Sequence, residues 1–111
     1  PVLSEEALEN LKKSREELSG WILGGIIPVI SHRNAVFMNN EINGITVSRE
    51  IIDRYEGLER KEAEDLAVEI SAEIAEKIRP YIDGYYLMTP MRRISLMERV
   101  LKVIGEAEKR R

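Results

Sequence analysis

The sequence contains no cysteine, so disulfide bonds, thiolate metal sites and cysteine nucleophiles are excluded. It has one histidine, which argues against most metal sites and against a Ser-His-Asp triad. The longest apolar run has about ten residues, whereas a helix that crosses a bilayer needs roughly 20. We therefore expect no signal peptide and no membrane span, and we expect a location in the reducing cytoplasm.

The sequence has no large excess of charge of one sign. It contains 17 basic and 20 acidic residues, and its formal net charge is −3. A protein that holds nucleic acid by its phosphates normally presents a basic face, so no nucleic-acid partner is expected. With 43% hydrophobic and 33% charged residues, the composition is that of a globular protein. A length of 111 residues suits one domain, and the chain is treated as a single segment, 1–111.

Two apolar stretches predict β-strands. The first covers residues 21–30, is interrupted at Pro28 and leads into a polar turn that contains Asn34; the second covers residues 84–88 and ends at Thr89-Pro90. Apolar runs without polar alternation are typical of strands that are covered on both faces in a parallel sheet. If the two strands are parallel, the loops that follow them lie side by side at one edge of the sheet.

The rest of the chain predicts helices. Ser4 is a good N-cap for the first helix, and Thr46 or Ser48 caps a short one over residues 49–55. A short helix over residues 34–41 is expected to stop at Asn43-Gly44. Apolar residues four apart predict a long helix over 60–79, ended by Pro80. The last helix, over 93–109, is expected to bury Leu96, Met97, Val100, Leu101 and Ile104.

Two parallel strands with apolar faces cannot bury those faces by themselves, because isolated two-stranded sheets are marginally stable. Parallel sheets occur almost only inside larger layered structures. The missing strands must therefore come from a longer chain or from further copies. We expect the former, with this chain as the last part of a (β/α)8 barrel or of a doubly wound sheet.

Two segments resemble the methylenetetrahydrofolate reductase family. Residues 25–48, GIIPVISHRNAVFMNNEINGITVS, resemble the seventh strand and following loop, most closely in the reductase half of bacterial proteins that also contain a homocysteine methyltransferase. Residues 83–105, DGYYLMTPMRRISLMERVLKVIG, resemble the eighth strand and last helix. The resemblance covers nearly the whole chain. It implies an α/β fold, namely the C-terminal portion of a TIM (β/α)8 barrel with extra helices between its last two strands.

Members of this family are flavoproteins that reduce 5,10-methylenetetrahydrofolate to 5-methyltetrahydrofolate. The resemblance implies FAD as the cofactor, folate as the substrate, and NAD(P)H or another reductant as the electron donor. The family's catalytic glutamate and most flavin contacts would precede Pro1, so we expect this chain alone to be inactive. Its partner is then the missing part of the barrel or, in a homo-oligomer, further copies of itself.

The resemblance also implies four substrate-binding residues. Asn34 matches a Gln or Asn that hydrogen-bonds the folate, and Met38 matches an apolar or aromatic residue that packs over the ligand. Met91 matches a Leu or Phe of the opposite wall, and Arg93 matches an arginine near the glutamate tail of the folate. The chain departs from the family at both methionines, which make the walls of the implied ligand pocket more flexible. It also departs at Arg92, where many relatives have Gly or Asn.

Each of these residues also has a purely structural interpretation. Asn34 can cap a short helix, and Met38 and Met91 can fill the core. Arg93 stands at a helix start, which the helix dipole disfavours, so it is expected to bind either an anion or an acid such as Glu98. For the whole chain, the alternative function is a non-catalytic, helix-rich module that self-associates through exposed apolar strands.

Overall fold

A computed structural model of the chain describes residues 2–42, 45–88 and 93–109. Helix α1 (Glu5–Glu17) precedes strand β1 (Leu23–Ile26), and three helices follow: α2 (His32–Glu41), α3 (Arg49–Arg54) and α4 (Arg60–Ile78). A 3-10 turn (Arg79–Tyr81), strand β2 (Gly84–Leu87) and helix α5 (Ile94–Lys109) complete the order. Among the helices of these ranges, none combines the length and the hydropathy that crossing a membrane requires.

Polar side chains fix where four of the helices begin. The hydroxyl oxygens of Ser4, Ser31 and Ser48 each accept a hydrogen bond from the backbone N–H three residues later, at 3.1, 2.9 and 3.2 Å. Helix α4 begins with a capping box, in which Glu62 Oε1 accepts from the N–H of Glu59 at 3.1 Å. The caps predicted at Ser4 and Ser48 are therefore present, and the cap of α2 is Ser31.

The ends and buried faces of the helices follow the predictions with exceptions. Helix α4 ends at Ile78, and Pro80 lies in the turn that follows, as expected. The predicted stop at Asn43-Gly44 lies outside the described residues. Leu101 on α5 is exposed, so its predicted burial is wrong. The buried residues of α5 are Leu96, Val100 and Ile104.

The two strands form a parallel sheet, in which Leu23 pairs with Gly84 and Ile26 with Leu87. The predicted parallel arrangement is confirmed, so the loops after the strands leave from the same edge. Strand β1 is shorter than the predicted strand over 21–30, since pairing stops before Pro28, whose nitrogen cannot donate a ladder hydrogen bond. Residues 27–30 remain buried without belonging to the strand.

Helix α4 covers one face of this sheet. Gly24 of β1 permits the close approach, because a Cβ atom at this position would lie 2.6 Å from Ile78 Cδ1. From β2, the Tyr85 hydroxyl donates a hydrogen bond to the carbonyl oxygen of Ala75 at 3.1 Å. Burial is the main cause that raises the pKa of Tyr85. The core includes Ile26, Val29, Ala67, Ile70, Ile74, Ile78, Leu96 and Val100.

A cluster of polar contacts ties α1 to the amino end of the sheet. Asp83 Oδ2 accepts hydrogen bonds from the backbone N–H of Ile22 at 2.8 Å and from Arg15 Nη2 at 2.7 Å. Arg15 Nε also donates to the carbonyl oxygen of Tyr81 at 2.9 Å. The Ile22 N–H and then the Arg15 guanidinium lower the pKa of Asp83, which keeps this carboxylate charged.

The predicted fold, the C-terminal portion of a TIM (β/α)8 barrel, is wrong. The structure is 66% helical and has two parallel strands of four residues each in the described ranges. Barrel strands are covered on both faces, by helices outside and by side chains inside. In this protein one face packs on α4 and the other is open, so the strands are not buried front and back.

The helices enclose a core of their own instead. The radius of gyration is 13.8 Å, close to the roughly 13 Å expected for a compact chain of this length. The protein is therefore a small helical globule with a two-stranded parallel sheet at its surface.

Candidate functional site

The face of the sheet that α4 does not cover presents apolar side chains. In a strand, successive side chains point to opposite faces, so Leu23, Gly25 and Ile27 lie opposite the residues that meet α4. Tyr86 and Met88 are their counterparts on and after β2. A Cβ atom at Gly25 would lie 2.5 Å from the Tyr86 side chain, so the tyrosine ring lies over the backbone of Gly25. We call this surface the open face.

A groove of about 240 Å³ lies where the open face meets helix α2. It is near the carboxyl ends of both strands, which is the edge where open parallel sheets bind their ligands. None of the described residues that line it is charged, and all but one of them are apolar. The lining consists of Ile27, Asn34, Phe37, Met38, Ile42, Ile45 and Met88.

Asn34 is the polar member of this lining. Its Oδ1 accepts a hydrogen bond from the backbone N–H of Ile30 at 3.1 Å, which holds the turn after Pro28. Its own N–H donates to Ser31 Oγ, so Asn34 follows the helix cap and is not the cap itself. The NH₂ group of Asn34 makes no hydrogen bond within the described parts of the chain.

Met38 lies in the same groove and is 2% exposed. It follows Asn34 by one helical turn, so both side chains lie on one face of α2. Its burial confirms the interpretation of Met38 as a core residue, and it also lines the groove, while its contact with a ligand stays a prediction. The structure therefore brings together two of the four predicted substrate-binding residues.

A third predicted residue, Arg93, is not among the residues that line this groove. Arg93 forms an ion pair with Glu64 of α4, and its side chain is 16% exposed. Glu64 also lies 3.8 Å from Arg60. The salt-bridge interpretation of Arg93 thus describes the structure, although the acid is Glu64 and not Glu98. Met91 lies outside the described residues.

Five described residues of the groove were not predicted as site residues, namely Ile27, Phe37, Ile42, Ile45 and Met88. Phe37 and Met88 are about half exposed and form its outer walls, and Ile42 lies beside them. Phe37 follows Asn34 by three residues on a helix, a spacing that places both side chains on one face and was available in the sequence. Met88 directly follows β2, and its position depends on the strand register, which the sequence does not encode locally.

The groove does not fit a whole FAD. Pockets for drug-sized ligands have volumes of about 300–1,000 Å³, and FAD is larger than most such ligands. A diphosphate is usually bound by glycine-rich backbone N–H groups or by basic side chains, and the described residues of the lining include neither glycine nor a basic residue. In residues 2–42, 45–88 and 93–109, no group of His, Asp or Glu side chains could hold a metal ion.

Comparisons of this chain with known protein families, with curated proteins and with solved structures found no match. The resemblance to methylenetetrahydrofolate reductases therefore stays a prediction from the two sequence segments.

Proposed function

We propose that this chain binds a reduced folate and acts as a folate-binding unit of a flavin-dependent methylenetetrahydrofolate reductase. The pterin ring occupies the groove between the open face and α2. The observation that supports this most is the NH₂ group of Asn34, which has no partner among the described residues, in a groove whose other described residues are apolar and uncharged. Ligand pockets commonly combine apolar walls with a few polar groups that fix the orientation of the ligand.

The chemistry of a pterin suits this lining. Its planar ring packs between the exposed side chains of Phe37 and Met88, and its carbonyl and ring-nitrogen acceptors can receive a hydrogen bond from Asn34. The groove has room for one ring system, so the rest of the ligand remains outside it. Arg93 is held by Glu64 and does not contribute to the proposal, which rests on recognition of the ring and not of the glutamate tail.

The proposal assigns no flavin and no hydride-transfer step to this chain. The groove is too small for FAD, and the described residues that line it include no group that binds a diphosphate. The contribution of this chain is to bind and orient the folate, and we expect no reductase activity from the chain alone.

The substitution Asn34→Asp tests the proposal. The aspartate keeps an oxygen that accepts from the Ile30 N–H, but it replaces the donor NH₂ with a second acceptor. Loss of one hydrogen bond to the ligand should weaken 5-methyltetrahydrofolate binding about tenfold or more in isothermal titration calorimetry.

Asn39→Asp is the matched control. Asn39 lies on the same helix, is exposed, and its Oδ1 accepts from the backbone N–H of Val47 at 2.9 Å. This variant introduces the same charge and keeps the same kind of backbone hydrogen bond, but it lies outside the groove lining. It should bind 5-methyltetrahydrofolate like the unchanged chain. The proposal fails if the unchanged chain does not bind, or if both variants bind equally well.

A further inference from the structure

The open face belongs to a continuous apolar surface, which we call the open strip. Leu23 packs beside Gly84, the Tyr86 ring lies over Gly25, and Met88 shares the groove with Phe37 and Ile42. The carbonyl of Ile22 accepts from the N–H of Asp83 at 2.8 Å, so the paired backbone continues ahead of β1 toward Trp21. The strip consists of Trp21 (83% exposed), Leu23 (56%), Phe37 (54%), Ile42 (38%), Tyr86 (39%) and Met88 (50%).

The strip is at the upper end of the range of apolar patches found on monomers. With aromatic side chains of about 150–250 Å² and somewhat smaller aliphatic ones, these exposed fractions correspond to roughly 600 Å² of apolar surface. The largest patch on a typical monomer is about 300–600 Å². A stable interface removes about 800 Å² from each partner. The strip therefore supplies most of one side of such an interface.

We propose that the strip binds the same strip of a second copy of this chain, in a two-fold symmetric dimer. None of its six members is charged, so pairing it with itself brings no like charges together. An interface of this symmetry must be complementary to itself. The strip meets that requirement because it has a projecting aromatic residue at one end and a groove at the other.

The spacing of these two features determines how the copies pair. Trp21 precedes Ile27, a residue of the groove, by six residues, or about 20 Å of extended chain. A two-fold axis through the middle of the strip, near Tyr86, exchanges its two ends. Trp21 of each protomer then enters the groove of its partner. The groove volume of about 240 Å³ suits a single aromatic side chain. This inference is independent of the proposed function.

Sedimentation equilibrium of the full chain over a range of concentrations tests this inference, together with the fluorescence of Trp21, the sole tryptophan. We expect the mass to rise from monomer to dimer and the emission of Trp21 to shift to shorter wavelength over the same concentration range. A monomer at all concentrations, or a dimer in which the Trp21 emission does not change, would overturn the inference.

Two lysine substitutions test whether dimerisation depends on the strip or on any exposed apolar residue of the surface. Met88→Lys places an unpaired charge in the proposed interface and should weaken dimerisation at least tenfold. Leu101→Lys introduces the same charge at a similarly exposed apolar residue of α5, outside the strip, and should change dimerisation less than twofold. Circular dichroism confirms that both variants keep their helices. Equal weakening by both variants would refute the assignment of the interface to the strip.

Discussion

The two faces of the β1–β2 sheet are built from the same eight residues and have opposite environments. On one face, Gly24 and Tyr85 meet α4, and Ile26 is buried. On the other, Leu23 and Tyr86 remain exposed, although both belong to the same paired strands. Because side chains alternate along a strand, consecutive residues of one strand lie on different faces, one packed against α4 and the other exposed.

This difference predicts which substitutions change the stability of the protein and which change what it binds. Substitutions on the covered face act on the core that α4 and the sheet share, so they should change the free energy of unfolding. Substitutions on the open face remove few contacts within the chain, so they should mainly change what the protein binds. The two proposals place either a pterin ring or the Trp21 side chain of a second copy in the same groove, so the proposed ligand and the proposed dimer should exclude each other there.

The neighbouring glycines of β1 provide the sharpest test of this difference. A methyl group at Gly24 would lie 2.6 Å from Ile78, which is fully buried, and 3.0 Å from Ile82, whereas at Gly25 it would meet the Tyr86 ring, which is partly exposed and has solvent to turn into. Gly24→Ala should lower the free energy of unfolding by about 1–3 kcal/mol. Gly25→Ala should change it by less than about 1 kcal/mol.

Urea unfolding of both glycine variants, at concentrations where the chain is monomeric, measures these effects. Equal destabilisation by the two substitutions would mean that both faces are packed alike, which would contradict the difference between the two faces of the sheet.

Substitution of a buried tyrosine should change the free energy of unfolding by a smaller amount, and in the stabilising direction. The Tyr55 side chain is buried, its hydroxyl has no hydrogen-bond partner among the described residues, and burial raises its pKa. Replacing an unpaired buried hydroxyl with an apolar group of the same shape removes its desolvation penalty. Tyr55→Phe should therefore stabilise the protein by about 1 kcal/mol, which is a rise of a few degrees in Tm.

Tyr86→Phe is the control for this prediction, since Tyr86 lies on the open face and is partly exposed. Its Tm should remain close to that of the unchanged chain in differential scanning calorimetry. A lower Tm for Tyr55→Phe would show that the Tyr55 hydroxyl has a partner after all.

The sequence was sufficient to predict the features that depend on residues close together in the chain. The caps at Ser4 and Ser48, the end of α4 before Pro80 and the strand break at Pro28 follow from local backbone chemistry. The parallel pairing also followed from the two apolar runs. The placement of Asn34 and Met38 in one groove agrees with their spacing on α2.

Features that depend on distant residues were not predictable in the same way. An unbroken apolar run such as residues 21–30 does not indicate which side a helix will cover, and this ambiguity led to the incorrect barrel prediction. The acid that pairs with Arg93 is 29 residues away on α4, whereas the sequence suggested one within its own helix. The resemblance to methylenetetrahydrofolate reductases, and the roles of FAD and of the electron donor, stay predictions.

The central claim is that the open face and the outer wall of its groove are accessible on the monomer while the core beneath them is closed. Two methionines report on this directly, because Met88 is half exposed at the open face and Met38, at the base of the groove, belongs to the core and is 2% exposed. Exposed methionines oxidise faster than buried ones. Peptide mass spectrometry after a timed treatment of the dilute chain with hydrogen peroxide measures both rates, with guanidinium-unfolded chain as the control. We predict that Met88 oxidises several times faster than Met38 in the folded chain and that the two rates become equal on unfolding. Equal rates in the folded chain, or faster oxidation of Met38, would contradict the account.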